Sequence, residues 1–220
     1  MKILINENHL KNLQKDLNEL YPKTWDLNTF KNLKSFNTRI QYCNQHLQRL
    51  SSGSSRIVYK IDDEKVLKLA KNKKGFTQNK QETLWGSDGF FGEILAKVFD
   101  HDENYSWIEM ELAQKLTNKK FTQIVGYPIY DVEMYITKMY NKYKNKPIHR
   151  LIDIDPIMEE NLNENEFIQL LIQYIMETNI IIGDIGRLSS YGVVNRNGSE
   201  TIVLIDYGLT EKDYSNLYKR

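Results

Sequence analysis

The sequence predicts an α+β fold: an antiparallel β-rich half carrying one helix, followed by a mainly helical half with a late β-hairpin. Three features predict it. Short apolar runs of period two recur between Leu47 and Leu112, and stripes of period 3.6 follow Ala113. Near the end, Asn197-Gly198 separates two alternating strands, a strong hairpin signal.

Leu10, Leu13, Leu17 and Leu20 mark a helix over 8–20 that ends before Pro22, and a second helix is expected over 26–45. From Leu47 the pattern changes to strands, "LQRLS", "RIVYKI" and "KVLKLA", separated by the turn material "SGSS" and "DDE". A polar helix over 75–86 and strands near 93–99 and 105–112 complete five antiparallel strands with one helix after the third. Beyond Ala113, Pro128 suits the first residue of a helix whose apolar face is Val132, Tyr135, Ile136, Met139, Tyr140 and Tyr143. Asn163, with Glu166 three residues on, reads as the N-cap of the next helix, whose stripe is Phe167, Leu170, Leu171, Tyr174 and Ile175. Then come "IIIGDIGRLSS", the strand "YGVVNR", the Asn197-Gly198 turn and the strand "ETIVLID".

Composition narrows the function classes. The 220 residues suffice for one domain or two small lobes with a real core. Thirty basic against 29 acidic residues leave a net charge of +1, so no chain-wide attraction to nucleic acid is indicated. One cysteine, Cys43, excludes an internal disulfide framework and fits a reducing compartment. His9, His46, His101 and His149 are scattered, without zinc-ligand spacing. No apolar run approaches a membrane span, and "MKILINENHL" is too short in apolar residues for a signal peptide. A soluble, cytoplasmic protein with no membrane or specific nucleic-acid partner is the expectation.

Three places carry chemistry. The hairpin brings Asp184, in the loop before its first strand, towards Asp206, at the end of its second. Two close carboxylates resist joint ionisation unless a cation or shared proton compensates. They suit a metal ligand beside a residue that orients a hydroxyl, and equally two turn-forming aspartates. In "KVLKLAK", alternation sets Val66, Lys68 and Ala70 on one face and Leu67 and Leu69 on the other. A lysine held among apolar neighbours needs an anion, and Glu82 on the following helix is the candidate; a snorkelling lysine on an edge strand is the alternative. Upstream, Ser52-Gly53-Ser54-Ser55 joins two strands with small residues. Such a loop lets backbone N–H groups approach phosphate, though a plain hairpin turn explains it as well.

In this order, the features resemble the protein-kinase-like fold over roughly residues 46–210. "SSGSS" resembles the glycine-rich loop, and Lys68 in "VLKLA" matches the phosphate-binding lysine of V-A-I-K. The resemblance makes Glu82 its helix partner and Glu111–Ala113 the hinge that faces adenine. "IIGDIGRLSS" is similar to the catalytic loop, with Asp184 as catalytic aspartate; its Gly183-Asp184 form is closer to aminoglycoside-phosphotransferase-like and other atypical kinases. Asp206-Tyr207-Gly208 matches D-F-G, which makes Asp206 the magnesium ligand. "SGSSRIVYKIDDEKVLKLAKNKKG" also resembles small kinase-like proteins encoded by bacteriophages.

The departures are specific. The catalytic-loop asparagine that holds a metal ion is replaced by Ser189, with Ser190 or Asn195 as other substitutes. The phosphate loop lacks two glycines. Twelve residues follow Gly208, leaving no room for an A-P-E segment or a long activation loop. The resemblance therefore implies a bilobal fold divided as an N-terminal helical extension (1–45), an antiparallel β N-lobe (46–113) and a truncated, mainly helical C-lobe (114–220). It implies ATP- and magnesium-dependent phosphoryl transfer to a hydroxyl of a protein substrate, probed first as a serine/threonine kinase acting on a host protein. The alternatives are a pseudokinase acting as a binding module, and a small-molecule phosphotransferase or adenylyltransferase.

Overall fold

A computed structural model describes residues 25–87, 89–147 and 153–218. The helix expected over 8–20 lies outside them. The single helix expected over 26–45 is two, α1 (Leu27–Asn32) and α2 (Phe36–His46). Two caps explain the break: Asp26 accepts from Thr29 N (2.6 Å) and Ser35 accepts from Thr38 N (3.1 Å), so the backbone between is extended at Leu33.

Five antiparallel strands follow: β1 (Gln48–Ser52), β2 (Arg56–Lys60), β3 (Lys65–Ala70), β4 (Val98–His101) and β5 (Trp107–Glu111), in the order β1-β2-β3-β5-β4. Helix α3 (Lys73–Gly86) enters after β3, capped by Asn72. β3 is thus the middle strand, which rules out an edge-strand lysine at 68. The alternation has a physical purpose on both faces. Ile57, Tyr59, Leu67, Leu69 and Trp107 form one core with Phe30 and Cys43 from α1 and α2, with Phe30 edge-on to Trp107 at 5.6 Å. Val66, Ile108 and Met110 face the other way, into the main core. The expected strand over 93–99 is regular only from Val98. The backbone at 94–96 pairs instead with a later strand.

The second part contains β6 (Gln114–Lys115), α4 (Asn118–Val125), α5 (Ile129–Tyr143), α6 (Pro156–Glu164), α7 (Glu166–Thr178), the short α8 (Ile182–Ile185), β7 (Tyr191–Arg196), β8 (Ser199–Leu204) and α9 (Glu211–Tyr218). Pro128 is the N-cap of α5 rather than its first residue. Of the expected face, Val132, Tyr135, Ile136 and Tyr140 are buried, whereas Tyr143 is exposed. Asn163 is not a cap: it lies inside α6, accepting a hydrogen bond from Tyr135 Oη (2.6 Å). Asn165 caps α7 instead, accepting from Ile168 N (3.1 Å). The stop and restart comes from Asp155-Pro156, which opens a separate helix upstream with Asp155 accepting from Ile157 N (2.9 Å) and Met158 N (3.0 Å).

The late hairpin forms as the sequence predicts. β7 and β8 pair from Tyr191↔Leu204 to Arg196↔Ser199, closed by Asn197 (φ 53°) and Gly198 (φ 79°). Two consecutive positive φ values are what a type I′ turn demands. β8 also joins the two parts: Leu204 N donates to Ile94 O (2.7 Å) and Ala96 N to Leu204 O (2.9 Å). Arg196 reinforces that seam, donating to Glu111 Oε1 (3.2 Å) and Leu95 O (2.9 Å). The result is an α+β, bilobal architecture: an antiparallel sheet with one helix, set over a helical part that carries the hairpin.

Candidate active site

Between the lobes lies a cavity of about 610 Å³. Its lining is mainly apolar, from Val58, Val66, Met110, Leu188 and Ile205 together with the chain at Glu111–Ala113, and it includes the charged Arg56, Lys68 and Asp206. That combination of an apolar slot and convergent charge is typical of a small-ligand site.

The charged cluster is built by four elements. Middle strand β3 points Lys68 away from the α1/α2 core, and Lys68 is only 5% exposed. Its Nζ donates to Glu82 Oε2 (2.9 Å) and to the carbonyl of Ile205. Glu82 comes from α3 and is fully buried. Burial pulls the Lys68 pKa below the ordinary lysine value, against the attraction of Glu82 and with the repulsion of Arg56. A charged pair this deep costs desolvation energy, so its presence argues for more than packing.

Asp206 follows β8. Ile205 N donates to Ser190 O (2.8 Å), closing the open end of the hairpin. Tyr207 is buried, its hydroxyl donating to Ala96 O (2.7 Å), and Tyr174 Oη donates to the Tyr207 carbonyl (3.2 Å). Gly208 lies so close to α3 that a Cβ there would sit 2.4 Å from Gln78 O. Residues 207 and 208 are therefore clamped, while the Asp206 side chain stays 51% exposed towards the cavity.

Asp184 sits in α8. Ile181 N donates to Leu209 O (3.1 Å), and Ile180 bridges Thr210, tying this loop to the chain beyond Asp206. Asp184 faces an adjoining hollow of about 730 Å³ with Lys74, Arg187, Glu211 and Tyr214, not the 610 Å³ cavity. Burial, then the charge of Asp206, raises its pKa above the ordinary 3.8, with Arg187 and Lys74 opposing. The two carboxylates thus sense one another across the boundary between two hollows.

Of the other residues singled out from the sequence, Glu111, Ala113 and Ser189 line the 610 Å³ cavity. Ser52, Gly53, Ser54 and Ser55 do not. Their turn is tied to its own strand and to α3: Gly53 N donates to Arg56 O (3.0 Å), Ser55 O accepts from Lys71 N (2.8 Å), and the buried Ser55 hydroxyl donates to Gln78 Oε1 (2.6 Å). Glu111 is committed to Arg196 at the lobe seam, and its N–H donates to Lys97 O (2.8 Å), so neither its carboxylate nor its N–H is open to a ligand. No cluster of three metal-binding side chains of the His, Cys, Asp or Glu type occurs among the described residues. A cation here would rest on the half-exposed Asp206, with Ser189 lining the same cavity.

The residue that sequence reasoning missed is Arg56, 7% exposed. It donates from Nη1 to Glu82 Oε2 (2.7 Å) and from Nη2 to Asp206 Oδ1 (2.7 Å), linking the two carboxylates. Burial disfavours its charge, yet Glu82 and Asp206 more than compensate and raise its pKa. The signal was present: Arg56 lies two before Val58, which pairs with Lys68, so period two puts Arg56 on the Lys68 face.

Among solved structures the chain is similar to the Mycobacterium tuberculosis PknI kinase domain, at 14% identity over 74% of this chain and 59% of that one, with a TM-score of 0.36. It is also similar to the aminoglycoside phosphotransferase APH(2'')-Ib in its ADP-bound form, at 14% identity over 84% of this chain and 75% of that one, TM-score 0.33. A third is APH(2'')-IIa in complex with gentamicin, at 12% identity over 80% of this chain and 70% of that one, TM-score 0.34. The chain thus spans less than two thirds of the PknI kinase domain's length. No family model and no curated protein matches the sequence. TM-scores this low carry no weight on chemistry, which rests on the residues themselves.

Proposed function

We propose that the protein transfers a phosphoryl group from ATP, with magnesium, to a hydroxyl of a protein substrate, in the manner of a serine/threonine kinase. The observation that carries this reading is the buried Lys68–Glu82 pair opening on the same cavity as Asp206. Asp206 supports the charge of Lys68 and Arg56, and its half-exposed carboxylate also opens on the cavity. A phosphate site uses both features, because it must hold the anion and the cation that accompanies it.

The residues fit both groups. The cavity's volume and apolar slot suit an adenine against the backbone of Glu111–Ala113. Lys68 reaches the phosphates from a fixed position, since Glu82 holds its ammonium. Asp206 and Ser189 are the residues to hold magnesium, which when bound neutralises charge on the phosphates. Asp184, in the next hollow, orients the acceptor hydroxyl and takes its proton. Its raised pKa makes it a better base than an ordinary carboxylate. Positioning and charge supply most of the rate in such transfers.

One observation favours a second reading, a nucleotide-binding partner module without transfer: Arg56 already pairs with the proposed metal ligand. Incubation with γ-labelled ATP and magnesium in a cell lysate separates the two. Label on a protein, lost in Asp206→Ala, is the expected outcome. Binding of ATP with no transfer supports the module, and label from α-labelled ATP signals adenylylation instead.

A further inference from the structure

Lys68 alone is a poor match for a triphosphate. Two of its three N–H donors are committed, to Glu82 Oε2 and to the Ile205 carbonyl. The turn at Ser52–Ser55 adds little, because Gly53 N–H is spent on Arg56 O and these residues do not line the cavity. A further donor is needed, and the cavity wall contains one: the Arg56 guanidinium.

Its partners differ in a way that matters. Glu82 is fully buried and holds Nη1 at 2.7 Å, whereas Asp206 is half exposed and holds Nη2 at the same distance. The buried contact is expensive to break and the exposed one cheap, since water resolvates Asp206 when it is released. Glu82 Oε1 is buried with no hydrogen-bond partner, so the anchoring carboxylate retains a vacant acceptor. Guanidinium also suits phosphate geometry, with paired donors in one plane.

We propose that Arg56 is the second phosphate-binding cation of this site, exchanging its contact with Asp206 for phosphate oxygens of the bound nucleotide and so freeing Asp206 for the metal. This rests on the nucleotide reading given above. Glu82 anchors both cations throughout, and the nucleotide itself clears the metal ligand. Occupation of the metal position is thereby coupled to arrival of the phosphates.

Calorimetric titration with adenosine and with ADP, each with and without magnesium, tests this. Arg56→Gln is expected to weaken ADP about tenfold or more while leaving adenosine affinity unchanged, because adenosine carries no phosphate for the guanidinium to hold. Arg56→Lys keeps a cation against Glu82 and so guards against a folding failure. It is expected to weaken ADP several-fold, again sparing adenosine. ADP affinity equal to or tighter than wild type in both variants overturns the proposal, as does an equal loss for adenosine. If the wild-type protein binds neither ligand, the nucleotide reading falls and Arg56 falls with it; wild-type binding that Arg56 substitutions leave unchanged removes only the role of Arg56.

Discussion

Asp184 and Arg187 show how single side chains set the site's chemistry. Arg187 Nη1 lies 3.5 Å from Asp184 Oδ1 at an exposed rim. Burial and Asp206 hold the Asp184 pKa above 3.8, and Arg187 pulls it down. A base must be ionised to accept a proton, so transfer falls as pH drops through this raised pKa. Removing Arg187 raises it further, and the acid limb of a kcat/KM profile for Arg187→Gln is expected at higher pH than in wild type. An unchanged limb, or one moved to lower pH, contradicts the role of Asp184. The same group adds stability when protonated and loses it as pH rises from 3.8 through its folded pKa, since the folded state then binds more protons. The face taken by Lys68 was readable from the sequence, because alternation fixes the direction of a strand residue. Arg56 was not singled out, because an arginine just after a turn reads as solvated until its position is counted against Lys68.

Helix α3 and the chain after β8 meet through backbone, without a side chain to cushion the contact. Gly208→Ala places a Cβ 2.4 Å from Gln78 O and 2.7 Å from Gln78 Cα, so one of the two elements must move. The expected cost is about 1–3 kcal/mol in urea unfolding, with loss of ADP affinity as Asp206 shifts. Gly53→Ala, which meets nothing within 4 Å, is the control and should leave stability near wild type. A Gly208→Ala protein as stable as wild type would show that the clamp on Asp206 is slack. This contact was invisible in the sequence, as were α6 and its Asp155-Pro156 start, masked by three asparagines at 161, 163 and 165 that all satisfy capping chemistry. The hairpin was fully readable because Asn197-Gly198 specifies its turn with two residues.

In the molecule as a whole, the lobes share one main core, and the cavity is lined by the chain just after β8, at Ile205 and Asp206. The order β1-β2-β3-β5-β4 sets β5, not β4, beside β3, so only the pairing of sequence neighbours was predictable from consecutive hairpins. The seam made by Arg196 and the 94–96 backbone was not, because it joins residues about a hundred apart through main-chain carbonyls. Among the described residues no helix is long and apolar enough to cross a membrane. The central claim is that the cavity binds the nucleotide of a phosphoryl transfer. A crystal structure with magnesium and a non-hydrolysable ATP analogue tests it most directly. The account predicts adenine against Glu111–Ala113, phosphates on Lys68 and Arg56, and the metal on Asp206. An analogue bound elsewhere, or phosphates remote from Lys68, would contradict it.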